Sequence, residues 1–187
     1  MTWLIDHLPT GHPVLDASVI INVLGSGEPV AILRGLGHSC LVEQRTLREI
    51  RRHPVPGLAI ETAIAELQSC ELLCEVRMTD AEYETYLRYV SPPLGTRLDD
   101  GESAALAIAR RGACLILDER KARRVAASED PQLPVASSLK LFISSAFRAG
   151  WTQQQVMRIV TRAHERSRMA VPKDEQALLA DVLQNRP

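Results

Sequence analysis

The sequence predicts an α/β fold, a five-stranded and mainly parallel sheet with helices on both faces, followed by C-terminal helices. Five short apolar runs alternate with amphipathic stretches, which is the pattern of successive strand–helix units. The 187 residues, 45% hydrophobic and 24% charged, are enough to build one hydrophobic core. We therefore predict a single domain over residues 1–187, with its core at about 13–150 and a helical extension at about 151–187.

The elements follow one another along the chain. The predicted strands are PVLDAS, HSCLV, CELLCEVRM, ACLILD and LPVAS. The predicted helices are SVIINVL, EPVAILRGLG, EQRTLREIRR, LAIETAIAELQ, DAEYETYLRYV, DDGESAALAIARRG, ERKARRVAAS and SLKLFISSAFRAG, and the tail adds WTQQQVMRIVTRAHERSRM and VPKDEQALLADVLQ. Thr79 and Glu82 have the spacing of a capping box, and Gly112 and Gly150 predict helix ends. SPPLGTRL is a predicted loop.

Charge, cysteines and hydropathy narrow the class of protein. A net charge of −1 and a pI of about 6.5 give no overall attraction to nucleic acid. The four cysteines lack the paired spacing of a zinc site. The chain opens without a basic and then apolar leader, and no apolar run approaches the roughly 18 residues that span a bilayer. We therefore expect a cytoplasmic protein without a membrane partner.

Four acidic residues lie on four different strand–helix units: Asp16, Glu49, Glu102 and Asp118. In open parallel sheets the ligand lies at the carboxyl ends of the strands, and Asp16 and Asp118 are predicted to stand there. Carboxylates clustered without a basic partner repel one another unless a divalent cation neutralises them. Ligands that are all oxygen favour Mg²⁺ or Mn²⁺ over Zn²⁺.

Each of these acids also has an ordinary structural explanation. Asp16 could simply cap the next helix, and Glu102 could lie in a first helical turn because the helix dipole favours an acid there. Glu49 is flanked by arginines and could be solvated. Alternative residues for the site are also open: Glu43 for Glu49, and Asp99 or Asp100 for Glu102.

The order VLDASVIINVL … TLREI … LDDGESAALAIARRGACLILDERKARRVAA … AFRAGW resembles the PIN-domain nucleases, in a branch related to the VapC-like toxins. The resemblance covers most of residues ~13–185 and is weakest at ~55–95. It implies that Asp16, Glu49, Glu102 and Asp118 are catalytic and hold Mg²⁺ or Mn²⁺ for RNA cleavage. Glu102 stands where many members have Asp. Ser18 matches a small hydroxyl residue often found beside the metal.

The resemblance therefore implies a metal-dependent endoribonuclease, the toxin of a toxin–antitoxin pair. RNA is then the substrate, and an antitoxin protein and a homodimer are the further partners. A second hypothesis is a catalytically degenerate PIN-like domain that binds RNA or protein. A third, a phosphoacceptor domain, needs a lysine at the end of a late strand, whereas Lys140 lies inside a predicted helix.

Two sets of arginines are candidates for substrate contact. Arg120 and Arg124 follow Asp118 and share one helix face, so they could contact phosphate or form a solvated face. Arg158, Arg162 and Arg166 form a basic stripe on the first tail helix. Aromatic residues make up 4% of the chain, and none clusters near the acidic motifs in the sequence, so we do not expect base stacking.

Overall fold

A computed structural model describes residues 7–93 and 97–184. Five parallel strands form one sheet in the order β3-β2-β1-β4-β5, which confirms the predicted fold class. The strands are β1 (Pro13–Leu15), β2 (Cys40–Glu43), β3 (Leu73–Val76), β4 (Cys114–Ile116) and β5 (Val135–Ala136). Since the order turns back at β1, the carboxyl ends of β1 and β4 flank the crevice where open α/β sheets place their ligands.

The described helices cover both faces of the sheet. They are α1 (Ala17–Gly25), α2 (Pro29–Gly35), α3 (Gln44–Glu49), α4 (Ile60–Ser69), α5 (Asp80–Val90), α6 (Asp100–Ile108), α7 (Arg120–Glu129), α8 (Ser138–Arg148), α9 (Gln153–Ser167) and α10 (Gln176–Leu183). Short 3₁₀ segments occupy Ala109–Arg111 and Lys173–Glu175. Part of the predicted loop, residues 94–96, and the last residues of the predicted tail, 185–187, lie outside the described residues.

The sheet separates two hydrophobic clusters because successive strand side chains point to opposite faces. Val14 and Leu115 belong to the cluster with the alanines of α6 and α7, whereas Leu15 and Ile116 belong to the cluster under α1, α8 and α9. Both faces are buried at the central strands β1 and β4, which explains why these two strands read as unbroken apolar runs. The tail helix α9 adds its own apolar face to the second cluster: Val156, Ile159, Val160 and Ala163.

Several elements are shorter than the sequence predicts. The first strand ends at Leu15 because the carboxylate of Asp16 caps α1. The fourth strand ends at Ile116, and Glu119 caps α7. Helix α3 ends at Glu49, before the prolines expected to stop it, because the next residue leaves the helical conformation and is buried in the core. In these places local capping and burial set the boundary.

Other local predictions are confirmed. The capping box of Thr79 and Glu82 begins α5. Helix α8 ends at Arg148, two residues before Gly150, the residue that was predicted to end it and that has a φ of 69°. No single helix in the described ranges is long and apolar enough to cross a membrane; α1 and α2 meet that test only as a pair and are bent by 117° at their junction.

A candidate active site at the carboxyl edge of the sheet

Asp16 and Asp118 follow neighbouring parallel strands. β1 pairs with β4 with Leu15 opposite Ile116, and the backbone N–H of Asp16 donates to the Ile116 carbonyl at 3.3 Å. Both aspartates therefore lie at the same edge of the sheet, where the loops lead into α1 and α7. Both are buried, with 3% and 6% of their surface exposed.

Three hydrogen bonds hold the Asp118 carboxylate in place. Ser138, at the start of α8, donates its backbone N–H to Oδ1 at 2.8 Å and its hydroxyl to Oδ2 at 2.6 Å. The side-chain amide of Asn22, from α1, donates to Oδ2 at 2.9 Å. Burial raises the pKa of Asp118 to about 6, against the lowering effect of Ser138, and the charges of Asp16 and Glu175 raise it further.

Asp16 is held within its own turn. Its Oδ2 accepts from the backbone N–H of Ser18 at 3.1 Å and from the Ser18 hydroxyl at 2.6 Å. Burial raises the pKa of Asp16 despite these bonds, and the charge of Asp99 adds to the shift. The carboxylate therefore serves as a helix cap, as the structural explanation proposed, and stands beside other acids as well.

Glu49 reaches the site from the end of α3. Its Oε1 accepts the backbone N–H of Gly101 at 2.7 Å, so the carboxylate sits on the first turn of α6. A Cβ on residue 101 would lie too close to the Glu49 carboxylate, so a larger residue there would force this side chain to move. Desolvation raises the pKa of Glu49 to about 7, and the charges of Asp99, Asp16 and Asp100 contribute.

Glu102 and Asp99 form a second capping box at the start of α6. The Glu102 N–H donates to Asp99 Oδ1 at 2.8 Å, and the Asp99 N–H donates to Glu102 Oε2 at 3.3 Å. Glu102 is only 7% exposed, and burial raises its pKa to about 7. The charges of Asp99 and Asp16 also raise it.

The alternatives left open by the sequence differ in their surroundings. Glu43 caps α3 by accepting from the Arg45 N–H, and it is not among the main causes that raise the pKa values of Asp16, Glu49, Glu102 and Asp118. The charge of Asp99, in contrast, raises the pKa values of Asp16, Glu49 and Glu102. Asp99 is therefore a further acid beside Glu102 and does not replace it. Asp100 accepts from the Tyr86 hydroxyl at 3.1 Å.

Asp16 is the electrostatic centre of this acidic cluster, which we define as Asp16, Glu49, Asp99, Glu102 and Asp118. Its charge raises the pKa values of Glu49, Glu102 and Asp118. All the side-chain ligand atoms are carboxylate oxygens, the type that Mg²⁺ and Mn²⁺ prefer. In the side-chain positions of the described residues, no three of these acids form a group that could hold a metal ion. Glu49 and Glu102 are instead turned onto the backbone of α6, so they would have to rotate to share an ion.

Two polar residues in contact with Asp118, Asn22 and Ser138, were not predicted from the sequence. Asn22 is 3% exposed and Ser138 is fully buried. Asn22 could have been found from its place as the single amide inside the apolar stretch SVIINVL. An amide that is buried in such a stretch needs hydrogen-bond partners. Ser138 carried no comparable signal, because serine at a helix start is common.

A third missed residue comes from the tail. Glu175 is 3% exposed, accepts from the Ser137 hydroxyl, and lies 3.8 Å from Arg123 and 3.9 Å from Lys140. These contacts tie the 3₁₀ segment before α10 to the region of α7 and α8. Its effect on the Asp118 pKa shows that the tail contributes to the electrostatics of the site.

The two sets of arginines have different surroundings. Arg120 and Arg124 are exposed and line, with Asp118 and Lys173, a cleft of about 480 Å³ between α7 and the tail. Two arginines of the basic stripe lie against the turn after α1 instead, where Arg158 and Arg162 are 3.6 and 3.7 Å from Glu28. The cleft adjoins the acidic cluster through Asp118.

Comparison with known proteins agrees with this architecture. A family model described as a PIN domain matches residues 12–176, a span that includes all five strands and the whole acidic cluster. No curated protein and no solved structure matches the chain significantly. Because the match covers most of the chain, including the α6 segment and the turn after β4 on which the resemblance rested, this protein belongs to the PIN-domain family.

Proposed function

We propose that this protein is a metal-dependent endoribonuclease that hydrolyses RNA phosphodiester bonds. PIN domains are generally nucleases that use Mg²⁺ or Mn²⁺. The observation that carries the proposal is the pair of buried aspartates, Asp16 and Asp118, at one edge of the sheet, with raised pKa values and no ion pair to a basic residue in the described part of the chain. Burying two like charges side by side is costly unless a cation offsets them.

In this proposal Asp16 and Asp118 bind the ion directly, and Glu49 and Glu102 bind it directly or through water, with Asp99 as a further acid. The chemistry that an ion held by these residues would supply is an activated water and neutralisation of the charge that develops on the phosphate. Ser138 and Asn22 keep the Asp118 carboxylate oriented, and the Ser18 hydroxyl does the same for Asp16. Arg120 and Arg124 hold the substrate backbone from the adjacent cleft.

The biological setting follows the branch that the sequence resembles. We propose that the protein is the toxin of a toxin–antitoxin pair, acts in the cytoplasm, is neutralised by an antitoxin protein and forms a homodimer. Induced expression should arrest growth, and expression of Asp118→Asn should not. A neighbouring gene whose product restores growth would identify the antitoxin. Sedimentation of the purified chain would test the dimer.

The direct test is cleavage of a labelled single-stranded RNA by the purified chain in Mn²⁺ or Mg²⁺. We expect cleavage by the wild type, none in EDTA, and a loss of at least about a hundredfold in Asp118→Asn. Glu129→Gln, which removes an exposed acid at the far end of α7, is the matched control and should cleave normally.

One observation favours the second candidate, a degenerate domain that binds RNA or protein without cleaving it. No three described acids stand ready to hold an ion, because Glu49 and Glu102 accept backbone hydrogen bonds. RNA binding in Ca²⁺ without cleavage in Mn²⁺ would support this candidate and contradict the nuclease.

A further inference from the structure

A surface of arginine and tyrosine side chains lies beside the acidic cluster, at the carboxyl ends of β2 and β3. Tyr83 on α5 is 41% exposed, and its ring stacks on the buried ring of Tyr86 with centroids 5.7 Å apart. The Arg45 guanidinium lies 5.5 Å and 5.0 Å from the two ring centroids. We define the Arg–Tyr surface as Arg45, Arg48, Arg77 and Tyr83.

This surface corrects the expectation that no aromatic cluster lies near the site. The two tyrosines are distant in sequence from Asp16 and Asp118 and approach the site only because α5 and α3 both pack against α6. The Tyr86 hydroxyl donates to Asp100, the residue before Gly101, and Gly101 in turn binds Glu49. Asp100, the hydrogen-bond partner of Tyr86, is thus the sequence neighbour of Asp99, a member of the acidic cluster.

The Arg–Tyr surface surrounds a depression of about 210 Å³. Arg48 and Arg77 are exposed and form no ion pair with any acid in the described part of the chain. The acids that line the depression are Glu43, which is buried and caps α3, and the exposed Asp80. Three arginines against these two acids leave a positive surface, which suits an anionic ligand.

Helix α3 connects this surface to the acids. Arg45 and Glu49 lie four residues apart, and so share one face of the helix. Adjacent strands are about 4.8 Å apart, so the end of β3 is about 10 Å from the end of β1, where Asp16 lies. The cleft lined by Arg120 and Arg124 lies on the other side, beside the turn that follows β4. The acidic cluster thus stands between two basic surfaces along one sheet edge.

We infer that the Arg–Tyr surface binds a nucleotide of a single-stranded RNA substrate, with its base stacked on Tyr83 and its phosphate held by Arg48 or Arg77. The inference rests on the proposed function. It names single-stranded RNA as the substrate class and runs the strand along the sheet edge, from the acidic cluster to the Arg–Tyr surface. An exposed aromatic ring fits an unpaired base, because bases within a duplex offer no free face. An acidic protein segment would use the arginines but would not need the ring.

The test measures binding of two labelled probes in Ca²⁺: an oligoadenylate of about ten nucleotides and a ribose-phosphate chain of the same length without bases. Tyr83→Ala should weaken oligoadenylate binding by about tenfold or more and leave the abasic probe unchanged. Tyr83→Phe, which keeps the ring, should bind both as the wild type does. Phe147→Ala is the matched control, since it removes an aromatic ring that is 57% exposed near the far end of α8.

The outcomes separate the inference from the proposed function. If the wild type cleaves RNA in Mn²⁺ but Tyr83→Ala binds both probes normally, the inference fails and the nuclease stands; the surface is then open to an acidic protein partner. Equal weakening on both probes also overturns stacking, since the loss would not depend on a base. If the wild type neither binds nor cleaves RNA, both fail. Melting curves check that Tyr83→Ala, at an exposed position, still folds.

Discussion

The side-chain amide of Asn22 donates a 2.9 Å hydrogen bond to Oδ2 of Asp118, joining the middle of α1 to the turn after β4. The amide also lies 3.1 Å from the Ser138 hydroxyl, which itself donates to the same carboxylate. All three residues are buried. This network holds the Asp118 carboxylate in place, and its donors partly offset the burial that raises the pKa of Asp118.

Asn22→Ala should lower both stability and activity. The substitution removes a buried donor to a carboxylate, which costs about 1.5–3 kcal/mol of unfolding free energy. Loss of an orienting partner of a metal ligand typically costs about 10–100-fold in metal affinity or activity. Urea unfolding and RNA cleavage would measure the two effects.

Ser103→Ala is the control for that variant. Ser103 is also buried and polar, but its hydroxyl has no hydrogen-bond partner within the described ranges. Its removal should leave the unfolding free energy unchanged or slightly higher. Similar losses in both variants would mean that the Asn22 bond adds nothing specific to the site.

The sequence predicted the fold and the acids better than it predicted what holds them. Apolar runs and their spacing were enough for the parallel sheet, and this in turn put Asp16 and Asp118 at one edge. The donors Asn22 and Ser138 could not be paired with Asp118 from sequence, because they are 96 and 20 residues away and meet only through packing. The same holds for Glu175, whose burial depends on how the tail folds back.

Metal should raise the melting temperature, because it neutralises the clustered charges. A ligand at about 100 times its dissociation constant adds about 2.7 kcal/mol of stability. We expect the shift in Mn²⁺ or Mg²⁺ for the wild type and its loss in Asp16→Asn, in which asparagine still caps α1. A melting curve for the wild type that does not change up to millimolar Mn²⁺ would favour the degenerate domain.

Without metal, stability should fall as pH rises. Burial raises the pKa of Glu102 from 4.5 to about 7, so below pH 4.5 the group is protonated in both states and costs nothing. As pH rises to about 7 the unfolded chain ionises first, and the unfolding free energy decreases. Glu102→Gln should flatten this slope. Glu82, whose pKa is lowered to about 2 by its hydrogen bond with Arg111, is already ionised in this range, so Glu82→Gln should keep the slope.

Gly101→Ala should reduce activity without removing an acid. A methyl group at this position displaces the Glu49 carboxylate, whereas alanine suits a helix better than glycine does. We expect a melting temperature within a few degrees of the wild type and a loss of cleavage of about tenfold or more. Normal cleavage in Gly101→Ala would mean that the contact between Glu49 and Gly101 has no part in activity.

The double variant Arg120→Ala/Arg124→Ala should weaken RNA binding for all sequences alike, because phosphate contacts carry no base information. Each lost contact should reduce the log–log salt slope by about 0.7 for a single strand, while the metal-induced rise in melting temperature remains. A salt titration in Ca²⁺ would measure the slope. Arg110→Ala, an exposed arginine paired with Asp130 beyond the end of α6, is the control and should bind as the wild type does. An unchanged slope in the double variant would identify these arginines as a solvated face, and the basic stripe of Arg158, Arg162 and Arg166 would then be the next candidate for the phosphate contacts.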